Sequence, residues 1–259
     1  MKKLGLALGA GGARGVAHIG FLKGLEEVGV KPDMIAGTSM GSVVGAAYAS
    51  GVTVEEMWNA VSNLRLLDIL TPAVKRGGVF GTKKMRKTLD DYIGDIDFKD
   101  LNIPFHCMAV DADTKEKVEL SEGSVLDAVV ASSCIPVIFS PLEHDGKRLI
   151  DGYILETVPV RQVKAMGADV VVAVDVLENK VGAEDVPVAW QVFFEIIDIM
   201  ERERTARVRK DCQDITDFWL VPDLGNMSQF KIDKVEFAYE QGYKLAQQYA
   251  LAIKKALED

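Results

Sequence analysis

Along the 259-residue chain, short apolar runs alternate with stretches whose apolar positions recur at helical spacing. Lys3 to Leu8 is an apolar run ending in a glycine cluster, GAGGARG, after which VAHIGFLKGLEEVG has helical spacing and stops at Gly29. A second unit follows: the short strand KPDMIAG, the turn GTSMG, the small-residue helix SVVGAAYAS and a further helical stretch from Thr53 to Leu66. Residues 67–100 break the alternation and read as an inserted, lid-like segment carrying one periodic stretch, KKMRKTLDDYIG. Alternation then resumes with the strands IPFHCMAVDA, KVEL and RLID, helices in VLDAVVASSC and around VPVRQVKAMG, and the strand DVVVAVDVL. Residues 188–259 form a C-terminal helical extension: a long helix from Val188 to Cys212, a last strand in DFWLVP, and a final helix from about Ser228 to Leu257. Repeated strand and helix units predict a three-layer α/β/α sandwich with a mainly parallel central sheet. Without a Pro/Gly/Ser-rich linker or an internal repeat, residues 1–259 are expected to form one domain.

Composition narrows the function classes. With 30 Lys and Arg against 39 Asp and Glu, the net charge of −9 offers no cationic field for a polyphosphate backbone, so nucleic acid is not an expected partner. Cys107, Cys134 and Cys212 fit neither a disulfide framework nor a zinc pattern and read as buried or incidental thiols of a reducing compartment. The opening Lys2-Lys3-LGLALGA only faintly imitates a signal peptide and reads as a buried first strand. Met34 to Val54 carries no charge, but its four glycines and its hydroxyl residues break it into strand, turn and helix rather than a membrane span. The expected location is the cytoplasm.

The chemistry lies in the turns. GTSMG, Gly37 to Gly41, fits the GxSxG nucleophile elbow, in which a strained serine between strand and helix exposes its hydroxyl at the sheet edge; Ser39 is the candidate nucleophile. GAGGARG lacks the glycine that a GxGxxG dinucleotide loop would need at Arg14, and it is no phosphate-binding P-loop. Its amides at Gly11 and Gly12, joined by that of Met40, are instead suited to an oxyanion hole beside Ser39. Binding of a nucleotide by this loop is the minor alternative. The proton acceptor is less determined. His18 lies in a helix, His106 in an apolar strand expected to be core, and His144 in a polar turn, so a histidine triad would have to be completed by an acid such as Asp111. Asp151, at the end of RLID and before Gly152, can project a carboxylate over the sheet edge and take the serine proton directly. An ordinary Asp-Gly turn explains the same residues, and spacing does not decide between these readings.

Three motifs in one order, LALGAGGARGVAHIGFL, GTSMG, and DGY followed by VPV, resemble the bacterial patatin-like phospholipases related to the catalytic domain of neuropathy target esterase. ASSCIPVIFSPL and VKAMGADVVVAVDV are similar to the same family, so the resemblance spans most of residues 3–176. It implies a patatin-like fold, a Ser39–Asp151 dyad without histidine, an oxyanion loop at Gly11 and Gly12, and a lipolytic acyl hydrolase acting on an acyl ester or phospholipid without metal or cofactor. Two positions depart from the family pattern: Ala10 stands where a glycine is common, and Tyr153 where glycine or alanine is usual. The resemblance leaves Tyr153 as a ring that narrows the acyl channel, and Arg14 as either loop support or a contact for an anionic head group. The insertion and the aromatic helix near Trp190 are candidates for an acyl-binding wall or a peripheral membrane contact, with ordinary core as the plainer reading. A catalytically weak acyl- or protein-binding module on the same fold is the rival reading, with the intact motifs against it.

Overall fold

A computed structural model describes residues 2–65, 70–73, 78–177, 188–230 and 232–259, with the side chains of residues 188–191, 193 and 194 left out. In chain order the strands are β1 (Leu4–Leu8), β2 (Met34–Thr38), β3 (Thr71–Pro72), β4 (Gly78–Gly81), β5 (Phe105–Asp111), β6 (Glu116–Leu120), β7 (Val137–Phe139), β8 (Leu142–His144), β9 (Lys147–Asp151), β10 (Val170–Val174) and β11 (Phe218–Leu220). The helices are α1 (Ala17–Glu27), α2 (Met40–Ser50), α3 (Val54–Ser62), α4 (Lys83–Ile93), α5 (Val125–Ser132), α6 (Val160–Ala165), α7 (Val188–Asp211) and α8 (Val235–Glu258), with a 3-10 turn over Gly12–Val16 leading into α1.

The main sheet has eight strands in the order β11-β10-β1-β2-β5-β9-β8, with β6 also paired to β5. From β11 to β5 the pairing is parallel, and the part around β6, β9 and β8 is antiparallel. Alternation along β1 divides the layers. Leu4, Leu6 and Leu8 join the larger core with residues of α1, α2, α5 and α8, whereas Ala7 faces the other core with Val160 and Val163 of α6 and Val208 of α7. Leucine on one side and alanine on the other let α6 approach the sheet closely, so helices cover both faces as the alternation implied.

The central strands β1 and β2 are buried at every position, so the segment that imitated a signal peptide lies inside the sheet, and the one that imitated a membrane span divides into β2 and α2. Among the described residues no helix is long and apolar enough to cross a membrane. Several features depart from expectation. Within 67–100, part of which lies outside the described residues, β3 and β4 pair, and β4 joins β7 in a small three-stranded sheet. The last helix begins at Val235 rather than near Ser228, because the carbonyls of Met227 and Gln229 accept bonds from Arg14 Nε (2.7 Å) and the Ala13 amide (2.9 Å), which fix the preceding chain as a loop. His106 is not core: it is half-buried and pairs with Glu119 of β6. The three cysteines are buried free thiols, and burial pushes those of Cys107 and Cys134 up to about 12.

Candidate active site

Ser39 sits where β2 turns into α2, with φ 54° and ψ −123°. Such a backbone costs a non-glycine residue roughly 1–3 kcal/mol and persists only where its surroundings over-determine it. Here they do. The Ser39 amide donates to Ser132 Oγ (2.8 Å), and its carbonyl accepts Ser42 Oγ (2.6 Å) and the amides of Ser42 (2.8 Å) and Val43 (3.1 Å). The flanking glycines of GTSMG admit the close approach: a Cβ on Gly41 would lie 2.1 Å from the Leu8 carbonyl oxygen, and one on Gly37 would lie 2.4 Å from that of Gly41.

Asp151 reaches Ser39 through the register of β5. On one edge of that strand β2 pairs up to Thr38 opposite Met108, and β9, running the other way, takes over with Asp151 opposite Ala109. The C-terminal ends of β2 and β9 therefore meet head-on. Ser39 Oγ donates to Asp151 Oδ2 at 2.7 Å, while Asp151 Oδ1 accepts the Tyr153 amide at 3.0 Å. Both side chains are buried, Asp151 completely. Burial raises the Asp151 carboxyl to about 7, with the bonds from Tyr153 and Ser39 pulling the other way, so near neutral pH it can both take and return a proton.

The glycine loop faces this pair. Its amides at Gly9, Ala10, Ala13 and Arg14 are committed to the carbonyls of Val174, Thr157, Gln229 and Gly11. Those of Gly11, Gly12 and Met40 have no acceptor among the described residues, and Met40 opens α2, where the helix dipole favours negative charge. Gly12 has φ +52°, and a Cβ there would come within 2.3 Å of the Gln229 carbonyl oxygen. His18 underpins the loop, its Nε2–H donating to the Gly9 carbonyl (2.8 Å), and its complete burial lowers the imidazole to about 4, so it is neutral. Arg14 is fully buried beneath the loop, bonded to the Met227 carbonyl and, at 3.4 Å, that of Val176. Asp111 and His144 do not join the cluster. Asp111 accepts the amide of Asp113 in its own turn, and His144 lies opposite Lys147 at the far end of the β8–β9 hairpin.

Two cavities meet at Ser39. One, of about 260 Å³, is almost wholly apolar and runs between α2, α3 and α4, with Val43, Ala47, Met57, Met85 and Leu89 in its walls. The other, of about 20 Å³, is bounded by Gly11, Gly12, Asp151, Tyr153, Glu201 and Gln229. Tyr153 is therefore a wall of the smaller space rather than of the apolar one, packed with Ala10 and Leu177. Sequence reasoning missed Ser132, Glu201 and Gln229, none of which belongs to a motif that marks a role. Burial raises Glu201 to about 8. The aromatic positions Trp190, Phe193 and Phe194 lie outside the described side chains. Among the described residues no three His, Cys, Asp or Glu side chains are grouped to ligate a metal ion.

Comparison with known proteins agrees with this architecture. Residues 6–164 match the sequence profile of the patatin-like phospholipases. An uncharacterized NTE family protein of Mycobacterium tuberculosis is 35% identical over 182 residues, covering 70% of this chain and 51% of that protein. The lysophospholipase nte1 of Aspergillus fumigatus is 33% identical over 191 residues, 68% of this chain and 12% of that one. The chain thus spans about half the length of its mycobacterial relative and a small part of the fungal one. Among solved structures, VipD from Legionella pneumophila superposes with a TM-score of 0.65 at 14% identity, covering 97% of this chain and 67% of that one, a likeness of fold. The fold and the matched sequence lead to one conclusion: the chain belongs to the patatin-like phospholipase family.

Proposed function

We propose that this protein is a serine acyl hydrolase that cleaves a lipid ester with Ser39 and Asp151 alone. The observation that carries the reading is the buried 2.7 Å bond from a strained serine hydroxyl to a carboxylate of raised basicity. Ionised Asp151 takes the Ser39 proton as Oγ attacks the ester carbonyl, and the developing oxyanion accepts bonds from the amides of Gly11, Gly12 and Met40. The tetrahedral intermediate collapses, the C–O bond to the alcohol breaks, and Asp151 returns the proton to the departing oxygen. Water then attacks the acyl-enzyme, giving a proton to Asp151; the acyl bond to Ser39 Oγ breaks, Asp151 passes that proton to Oγ, and a fatty acid leaves. The apolar cavity holds the acyl chain, and α4 of the inserted segment, through Met85 and Leu89, closes its side. The lysophospholipase relative favours a lipid ester over other acyl substrates. Val192, Ile196, Ile199 and Met200, exposed along α7, supply the contact with a lipid surface.

A fluorophosphonate probe followed by peptide mass spectrometry tests the reading. The expected adduct is on Ser39, with labelling greatly slowed in Asp151→Asn and matched by turnover of acyl esters. Absence of both adduct and turnover rejects the hydrolase and favours a binding module.

A further inference from the structure

The buried face of α7 places Ile197, Glu201, Thr205 and Val208 at helical spacing toward the protein. Thr205 is bonded to Thr157 at 2.9 Å, and Val208 packs in the core. Glu201 differs from its neighbours. It is 6% exposed, it lines the smaller cavity with Ser39 and Asp151, and its partner among the described residues is Gln229, whose Nε2 donates to Oε2 over a long 3.4 Å. A carboxyl so placed costs free energy unless it is well bonded, and an apolar side chain would close the wall more cheaply.

We propose that Glu201 and Gln229 form the subsite for the leaving alcohol, selecting acyl esters whose alcohol carries a hydroxyl near the ester oxygen. The proposal rests on the hydrolase reading above. The two cavities differ in what they admit: about 260 Å³ of apolar space accommodates an acyl chain, whereas about 20 Å³ beside Glu201 has room for little more than a water-sized polar group. The leaving oxygen must also depart on the side of Asp151, which returns its proton, and Asp151, Glu201 and Gln229 all border that smaller cavity. Between them, Glu201 and Gln229 offer both donors and acceptors to a hydroxyl. Burial holds Glu201 protonated at neutral pH, supported by Asp198 on its own helix and Asp151 on β9, and opposed by the Gln229 bond and Arg14; Tyr153 is the other titratable group facing it.

The test compares a 1-monoacylglycerol with the ethyl ester of the same fatty acid, read as the ratio of their kcat/KM values, alongside fluorophosphonate labelling of Ser39. The wild-type chain is expected to favour the glycerol ester, and Glu201→Ala to lower the ratio about tenfold through KM, the scale of one lost hydrogen bond. Glu201→Gln, which keeps a donor and an acceptor, holds the ratio near neutral pH. It also abolishes the rise in KM for the glycerol ester that the wild type shows above pH about 8 as Glu201 ionises. Intact Ser39 labelling with an unchanged ratio in Glu201→Ala overturns the subsite alone, as does an equal fall for both esters. Failure of the wild-type chain to label or to cleave either ester overturns the hydrolase reading and the subsite with it.

Discussion

The residues beneath Ser39 and those above it reach the cavity by different physical routes. Beneath, placement comes from the backbone: Asp151 is set by a strand register, Ser39 by a turn that glycines on both sides permit, and the free amides of Gly11 and Gly12 by a loop whose other amides are already bonded. Above, Ile197 and Glu201 come from an ordinary helix, and Gln229 from the loop before α8. On the proposed reading, chemistry rests on geometry that tolerates little change, and recognition on side chains that can be exchanged without moving it.

The largest effect expected from the lower set is on turnover. Asp151→Asn removes the proton acceptor and should lower kcat/KM about 10³-fold or more in an ester assay, within the range of general-base contributions. The same variant should stabilise the fold at alkaline pH. Folding raises this carboxyl from 3.8 to about 7, so the native chain holds a proton that the unfolded chain releases. The penalty is absent well below pH 4 and complete above about pH 7, and it amounts to at most about 4 kcal/mol. Denaturant melts of both chains at pH 5 and pH 9 should therefore diverge more at the higher value, where the whole penalty applies, than at the lower, where roughly a third of it does. A melt in which Asp151→Asn gains nothing at pH 9 would mean that the carboxylate is better solvated than its burial implies.

Arg14 ties the two sets together, since it lies under the glycine loop and bonds the Met227 carbonyl of the chain leading to Gln229. Arg14→Met keeps apolar bulk but strands buried carbonyls, and the expected loss is about 3 kcal/mol in a urea melt. If both regions instead stay as stable as before, they are less coupled than these bonds indicate. The smallest effect is a pH dependence. Activity on a simple alkyl ester should fall about tenfold for each unit below pH about 7 as Asp151 becomes protonated. A flat profile from pH 5 to 7 would remove Asp151 as the acceptor.

The same division explains what could be read from the sequence. GTSMG and GAGGARG constrain their own backbone, so Ser39, Gly11 and Gly12 could be picked out before any fold was known, and the long alternation of strand and helix gave the layers. From spacing alone Asp151 was only half legible, and the family resemblance had to point to it, because an Asp-Gly pair is an ordinary turn until the pairing of β9 with β5 places it beside Ser39. Ser132 lies in ASSCIPVIFSPL, which carried the resemblance but no role, and Glu201 and Gln229 carried no local signal, since each depends on which element packs against the elbow. Strands as short as β3 and β7 hold too few residues to show alternation. His106 looked like core because its neighbours are apolar, but it points to the side where β6 supplies Glu119.

Ser39 and Asp151 are 112 residues apart in the chain, yet Thr38, just before the serine, and Asp151 itself are paired with neighbouring positions, Met108 and Ala109, of a single strand. That strand works as a ruler. Loops, helices and the small second sheet between the two residues can differ in length without altering that pairing, so the distance from hydroxyl to carboxylate stays the same. A slip of β9 by one residue, in contrast, would turn the carboxylate, the proposed proton acceptor, to the opposite face, away from the serine. Under the proposed mechanism, such a gauge leaves the choice of ester to the surrounding elements and holds the means of cleaving it fixed.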